Sequence, residues 1–137
     1  MSPDEQVVFR DYPLIFWLVG MVPLFAAGVI VDELSARIIF AVLGFSAIAF
    51  ASVLTVTVDW RRSTLNLHYR SLVRDSTKSY SLRDISFVNV KEDKGEGNYR
   101  VELFLWSGEI VPLRSTYTAV RRSKERQARQ LRSALGI

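Results

Sequence analysis

With 137 residues, the chain has room for one small group of apolar helices and one compact domain, but not for two domains of ordinary size. The absence of cysteine excludes disulfides, thiolate zinc sites, cysteine-ligated iron–sulfur clusters and a cysteine nucleophile. The net charge of +4 is unevenly distributed, because residues 1–13 carry −2, residues 32–37 carry −1, and residues 59–137 carry +7.

Two long apolar runs dominate the N-terminal half of the chain. Neither residues 12–31 nor residues 38–58 include a charged side chain. At about 1.5 Å per residue, a helix of either run is roughly 30 Å long, the thickness of the hydrocarbon core of a bilayer. Residues 32–37 between the runs are polar and long enough only for a tight reversal. The sequence therefore predicts a transmembrane helical hairpin within an N-terminal domain of residues 1–58.

The basic residues after the second run predict an orientation for this hairpin. Arg61 and Arg62 directly follow it, and short flanks rich in arginine and lysine stay on the cytoplasmic side of a membrane. Trp60 beside them completes an aromatic and basic group that is typical of a membrane-interface anchor. We therefore expect an integral membrane protein with both termini in the cytoplasm, and in a photosynthetic membrane the equivalent side would be the stroma.

Small residues recur at spacings of three and four along the second run. Ala41, Gly44, Ala47 and Ala51 form a stripe on one side of the predicted helix. Such a stripe allows two helix backbones to approach closely. Gly44, Ala47 and Ala51 are therefore predicted to pack against a helix, either the other helix of the hairpin or one that belongs to a partner.

Residues 59–137 have the pattern of an antiparallel sheet followed by one helix. Apolar and polar residues alternate in several short segments, and Ser107-Gly108 is typical of a tight hairpin turn. Residues 117–135 have an apolar arc and an arginine-rich arc, as in an amphipathic helix. Periodicity alone supports only an antiparallel sheet plus a helix. The order of these elements is the one expected of a pleckstrin-homology-like antiparallel β-barrel capped by a C-terminal α-helix, so we predict an α+β membrane protein with such a cytoplasmic domain. Strands are predicted at 64–69, 76–82, 85–91, 99–106 and 109–113.

The sequence contains no recognisable catalytic or metal-binding group. His68 is the only histidine, and a zinc or iron site needs three or four donors, so we expect a structural histidine on the outer face of a strand. Neither apolar run contains a histidine for haem or an ionisable residue for a proton path. With no phosphate-binding glycine motif, no triad and no nucleic-acid motif, we predict no enzyme activity, cofactor, metal, small-molecule substrate or nucleic-acid partner.

The predicted C-terminal helix carries the strongest charge feature. Its arginines are expected to contact anionic lipid headgroups or an acidic surface of a membrane complex, with a solvated helix face as the alternative interpretation. These residues are Arg121, Arg122, Arg126, Arg129 and Arg132.

The chain resembles the photosystem I assembly factor of chloroplasts and cyanobacteria, and more generally bacterial membrane proteins with a two-helix hairpin and a pleckstrin-homology-like domain. The resemblance covers roughly residues 59–137. It implies a location in a thylakoid or a bacterial inner membrane, and a non-catalytic scaffold that contacts subunits of a pigment–protein complex. The residues that carry it are Asp59, Leu65, Leu67, SLRDISFVNV at 81–90, Glu96-Gly97, Arg100, GEIVPLRS at 108–115, Glu125, Ala128 and Leu131.

Three functions are open at this point. The leading hypothesis is a non-catalytic accessory or assembly subunit of a larger integral membrane complex of the photosystem type. The alternative is a membrane-anchored pleckstrin-homology-like module that binds anionic lipid headgroups or peptides. A homo-oligomeric membrane scaffold is the third.

Overall fold

The computed structural model describes residues 4–114 and 117–137 of the chain. Two compact units are formed, and both are discontinuous in sequence, whereas the predicted domains, 1–58 and 59–137, are contiguous. The first unit comprises the residues up to Phe9, Thr55–Leu67 and Lys78–Ile137, and the second comprises Arg10–Leu54 and His68–Thr77.

The described residues form seven strands in two antiparallel sheets, together with three α-helices. One sheet has the strand order β1-β2-β3-β4, and the other has the order β5-β6-β7. In chain order the elements are β1 (Glu5–Asp11), α1 (Leu14–Val29), α2 (Leu34–Phe50), β2 (Val53–Asp59), β3 (Thr64–Arg70), β4 (Asp75–Ser81), a short 3-10 helix (Leu82–Asp84), β5 (Ile85–Glu92), β6 (Tyr99–Leu105), β7 (Ile110–Pro112) and α3 (Arg121–Leu135).

The strands β3 to β7 begin and end within one residue of the predicted ranges, so these predictions are confirmed. In β3, β5, β6 and β7 the prediction succeeded because buried residues impose a two-residue repeat on the sequence, whereas β4 has no buried residue. The helix α3 begins at Arg121, four residues later than predicted. The strand β1 was not predicted, since its short mixed sequence directly precedes the apolar run.

The core of the first unit includes the inner face of the β5-β6-β7 sheet. Val88 lies opposite Leu103, and Val90 opposite Val101, in the antiparallel pair of β5 and β6. Val88, Val101 and Leu103 are buried. The helix α3 packs against both strands and buries Leu131 on the side that faces them. Sheet and helix thus cover each other's apolar faces, as binary patterning predicts.

The second unit contains the helical hairpin of α1 and α2, whose ends follow from the local sequence. Pro13 precedes the first residue of α1, where its missing N–H is not needed, and its C=O accepts a hydrogen bond from the Trp17 N–H at 3.1 Å. Pro23 lies inside α1. The helix α2 ends at Phe50, and Ala51 already has an extended backbone. The β-branched residues that follow favour the strand β2 over a longer helix.

The predicted transmembrane hairpin is wrong. Among the described residues, no helix combines the length and the apolar character needed to cross a membrane. At about 1.5 Å per residue, the 16 residues of α1 and the 17 of α2 extend about 24 to 26 Å, short of a hydrocarbon core of about 30 Å. Two predictions are therefore wrong. One is the pair of membrane spans at 12–31 and 38–58, and the other is the integral-membrane location in a thylakoid or bacterial inner membrane with both termini cytoplasmic.

The predicted pleckstrin-homology-like β-barrel is also wrong. The strands that are described belong to two separate sheets, and β4 and β5, which follow each other in sequence, lie in different sheets. A short 3-10 helix separates them. Sequence alternation identifies a strand and its buried face, but not the strand with which it pairs. The fold class is therefore α+β with two antiparallel sheets and a C-terminal helix on one of them.

Candidate docking surfaces

The backbones of the two hairpin helices approach each other closely at a pair of glycines. A Cβ atom on Gly44 would lie 2.5 Å from the backbone oxygen of Gly20 and 2.7 Å from Cγ of Leu24. A Cβ atom on Gly20 would lie 2.8 Å from the backbone oxygen of Gly44. Real Cβ atoms do not come this close to backbone oxygens, so the crossing requires glycine at both positions. Gly44 therefore packs within the hairpin.

The other three residues of the predicted packing stripe have different surroundings. Ala41 and Ala47 are half-buried in α2, and Ala51 is buried just after the end of that helix, where the backbone is extended. Ala49, which the stripe did not include, is a buried residue of α2. The tight part of the crossing thus involves Gly44 and Ile48 of α2 and their neighbours in α1.

Large apolar side chains are exposed along both helices of the hairpin. Their exposed fractions range from 38% to 72%. We name this set the hairpin surface. Its members are Leu14, Ile15, Phe16, Leu18, Val19, Met21, Val22, Phe25 and Val29 in α1, and Leu34, Ile38, Ile39, Phe40, Val42, Leu43, Phe45 and Phe50 in α2.

Charged groups of the hairpin are confined to its connecting loop and the first turn of α2. Arg37 donates a hydrogen bond from Nε to the backbone oxygen of Val31, and Ser35 Oγ donates to Glu33 Oε1 at 2.9 Å. These contacts hold the loop together. The remainder of both helices has no ionisable side chain.

The predicted interface anchor lies in a β-turn instead of at a helix end. Trp60, Arg61 and Arg62 connect β2 to β3 in the first unit. The Arg62 N–H donates to Oδ1 of the buried Asp59 at 3.1 Å, which fixes the turn. The anchor was predicted because these residues directly follow the second apolar run, but the strand β2 separates them from the end of α2.

The arginines of α3 do not form one uniform charged face. Arg132 donates from Nε and Nη2 to the backbone oxygen of Val88, at 2.9 and 2.7 Å. Arg121 donates from Nε to Glu125 Oε1 at 2.6 Å, and this hydrogen bond raises the pKa of Arg121. Both side chains are therefore engaged within the first unit. Arg122, Arg126 and Arg129 are exposed.

His68 forms contacts across the pair of strands β3 and β4. Its Nδ1 lies 2.7 Å from Thr77 Oγ1, and its Nε2 lies 3.2 Å from Asp75 Oδ1. The order hydroxyl, imidazole, carboxylate is that of a catalytic triad, but the Asp75 side chain is 60% exposed and the His68 side chain 39% exposed. Within the described ranges, no three metal-ligating side chains come together. We interpret these contacts as a cross-strand link.

Two features of the structure were not predicted from the sequence. Glu102 on β6 is buried, and its Oε1 accepts hydrogen bonds from Arg100 at 2.8 Å from Nε and 2.6 Å from Nη2. The guanidinium of Arg100 also lies over the Tyr117 ring, 4.4 Å from its centroid. In the second unit, Leu72 and Val73 are exposed in the turn between β3 and β4. The exposure of Leu72 and Val73 could have been predicted, because this apolar pair lies in a short segment between Arg70 and Arg74. No feature of the sequence indicates that Glu102 is buried.

Comparisons with known proteins do not assign this chain to a family. Neither a scan against protein-family profiles nor a search of curated proteins finds a match to this chain. The resemblance to the photosystem I assembly factor and to pleckstrin-homology-like domains therefore stays a prediction.

Proposed function

We propose that this protein is a non-catalytic accessory or assembly subunit of a larger protein complex, and that it docks through the hairpin surface. The observation that carries the proposal is the extent of that surface. Large apolar side chains cover the outward sides of both α1 and α2, with no ionisable group along the helices beyond the first turn of α2. Monomeric proteins rarely expose a contiguous apolar patch of more than about 600 Å².

The size of the surface favours a permanent partner over a transient one. At roughly 100 Å² for each exposed side chain, the hairpin surface amounts to on the order of 1,500 Å² on this protein alone. With an equal area from a partner, the interface reaches the range of about 2,000–5,000 Å² that obligate complexes occupy. Obligate interfaces are also the more apolar class, which agrees with the composition of the surface.

The distribution of exposed residues around α1 favours a partner that encloses the hairpin. At about 100° per residue, the exposed positions of α1, from Met21 through Leu14 to Phe16, span about 220° of the helix. A second copy stacked face to face would cover one side of a two-helix layer and leave the other in water. A different protein with an apolar groove, lined by its own helices or sheet, covers both sides. We therefore assign the surface to such a partner.

The glycine crossing supports this role because it holds the surface in one conformation. Gly20 and Gly44 allow backbone contact between the helices, and Pro13 and the bonded loop of Arg37 and Val31 fix both ends. A rigid surface loses little conformational entropy on binding, which increases affinity without additional contacts.

A paired charge substitution tests the docking role. We expect the double variant Val22→Glu/Phe45→Glu to fold normally, because both side chains are exposed, and to leave the complex, because each carboxylate would be buried in an apolar interface. Gently prepared extracts, separated on native gels, should show the unaltered protein in a discrete species much larger than the chain. The double variant should migrate as the free protein, with at least about a hundredfold loss of affinity.

The control is Trp106→Glu, which places the same charge on an exposed aromatic position of the first unit. This variant should remain in the large species. Migration of the unaltered protein only as a free chain or as a multiple of itself would overturn the proposal.

The identity of the complex stays a prediction. The resemblance is what favours an integral membrane complex of the photosystem type. Binding of anionic lipid headgroups by the α3 arginines receives less support than docking by the hairpin, because Arg121 and Arg132 are engaged within the first unit.

A further inference from the structure

The strand β5 has an open edge beside α3 in the first unit. Among the residues that the structure describes, it pairs with β6 on one side only. On β6, the Val101 C=O accepts a hydrogen bond from the Leu113 N–H at 3.0 Å, so the peptide groups of Val101 point away from β5. Val90 lies opposite Val101 and therefore directs its own N–H and C=O away from β6, to the open edge. By the same alternation, Val88 and Glu92 do so as well.

The helix α3 covers this edge at Val88 and leaves the rest accessible. The Arg132 guanidinium donates two hydrogen bonds to the Val88 backbone oxygen. Beyond that point a cavity of about 410 Å³ lies between α3 and the strands, lined by Val90 and Glu92 on the edge strand β5 and by Tyr99 on β6. This volume lies within the range of about 300–1,000 Å³ that is typical of ligand-binding clefts.

The wall that α3 contributes to the cavity carries one available positive charge. Arg121, Arg129 and Arg132 line it, together with Glu125. Arg121 is bound to Glu125, and Arg132 to Val88. Within residues 4–114 and 117–137, Arg129 forms no hydrogen bond or ion pair. Its guanidinium, whose two-pronged geometry fits a carboxylate, is thus available to an anionic group that enters the cavity.

We propose that the edge of β5 binds an extended acidic segment of another protein. The segment adds as a strand beside Val90 and Glu92, exchanging hydrogen bonds with their outward N–H and C=O groups, and a carboxylate of the segment binds Arg129. An open strand edge without a specific partner is a site of unspecific pairing between proteins. Arg132 occupies the edge at Val88 but not at Val90 or Glu92. The proposal does not depend on the hairpin surface, which belongs to the other unit, so either can fail alone.

A peptide titration of the full chain tests this proposal by nuclear magnetic resonance. The probe is a six-residue peptide of alternating valine and aspartate, with both termini blocked. We expect shifts confined to the amides of β5 and α3, and about tenfold weaker binding when asparagine replaces aspartate. Two further peptides carry N-methyl groups on every second amide, in the two possible phases. Since only one row of amides faces β5, one of them should retain binding and the other should lose it.

Protein variants separate the contribution of the arginine from that of the strand edge. Arg129→Gln should weaken binding about tenfold, whereas Arg126→Gln, exposed on the same helix but outside the cavity, should leave it unchanged. Val90→Pro should abolish binding, because it removes an N–H that points to the open edge and takes no part in the pairing with β6. The N-methyl comparison keeps the test decisive if this proline variant is unstable.

Three results would overturn the proposal. One is equal binding of the aspartate and asparagine peptides, and another is equal binding of the two N-methyl phases. The third is displacement of the peptide by acetate at the same concentration, which would indicate a simple anion site without strand addition.

Discussion

Replacing Gly44 by leucine is expected to separate α1 from α2 and to destabilise the hairpin by about 3 kcal/mol or more. The physical reason is that the first added atom, Cβ, would lie 2.5 Å from the Gly20 backbone oxygen, and backbone cannot move aside as a flexible side chain can. Because unfolding of a chain with two compact units need not be two-state, native-state hydrogen exchange of the α1 and α2 amides is the appropriate measurement.

The same helix pair provides a matched control for this substitution. A Cβ atom on Gly28 would meet nothing within 4 Å, although Gly28 also lies in α1. Gly28→Ala should therefore slow hydrogen exchange in α1, since alanine is favoured over glycine in a helix by about 0.5–1 kcal/mol. Similar exchange rates for Gly44→Leu and the unaltered protein would contradict the close crossing that the structure describes.

Replacing Arg100 by methionine is expected to destabilise the first unit by about 3–5 kcal/mol, because it leaves the carboxylate of Glu102 buried without its partner. Glu102 is 1% exposed, and both of its hydrogen bonds from Arg100 end on Oε1. Methionine keeps much of the apolar length of arginine, so the loss is chiefly that of the ion pair. Hydrogen exchange of the β6 amides measures the effect.

The double variant Arg100→Met/Glu102→Leu separates the ion pair from simple packing. Its stability should recover most of the loss, since an apolar pair in place of a buried ion pair is often neutral or stabilising. The control Arg126→Met removes an exposed arginine and should change the free energy of unfolding by less than about 0.5 kcal/mol. A double variant no more stable than Arg100→Met would indicate that the carboxylate was not the source of the destabilisation.

The strands were predictable where one face is buried and the other is wet. In β3, for example, Leu65 and Leu67 are fully buried while Asn66 and His68 are not, and this difference is visible as alternation in the sequence. The pairing of strands was not predictable in the same way. Pairing depends on contacts between residues far apart in sequence. The two-residue repeat of β4 would be the same if β5 paired with it, so the repeat does not show that β5 belongs to a second sheet.

The apolar runs were correctly predicted as helices but given too great a length. The second run continues to Val58 without a charge, yet α2 ends at Phe50 and the remainder forms β2. Absence of charge does not distinguish a helix from a buried strand, and the β-branched residues from Val53 onward were the better guide. The same error led to the assignment of Trp60, Arg61 and Arg62 as a membrane anchor.

Helical periodicity predicted the charged arc of α3 but not the different contacts of its arginines. It places Arg129 and Arg132 on neighbouring positions of one charged arc, but Arg132 bonds to the β5 backbone while Arg129 stays available. Their difference depends on where a strand edge lies relative to the helix. The role of Arg100 was hidden for a related reason, since its pairing with Glu102 depends on burial of the outer face of β6.

Site-specific photo-crosslinking in the cells that make this protein tests most directly whether the hairpin surface docks onto another protein. A photoreactive amino acid replaces Val22, Phe45 or, as the control, Trp106, all of which are exposed in the isolated chain. We predict that the Val22 and Phe45 positions crosslink to the same second polypeptide, identified by mass spectrometry, and that the Trp106 position does not. Crosslinks from Val22 and Phe45 only to further copies of this chain, or none at all, would contradict the proposed function.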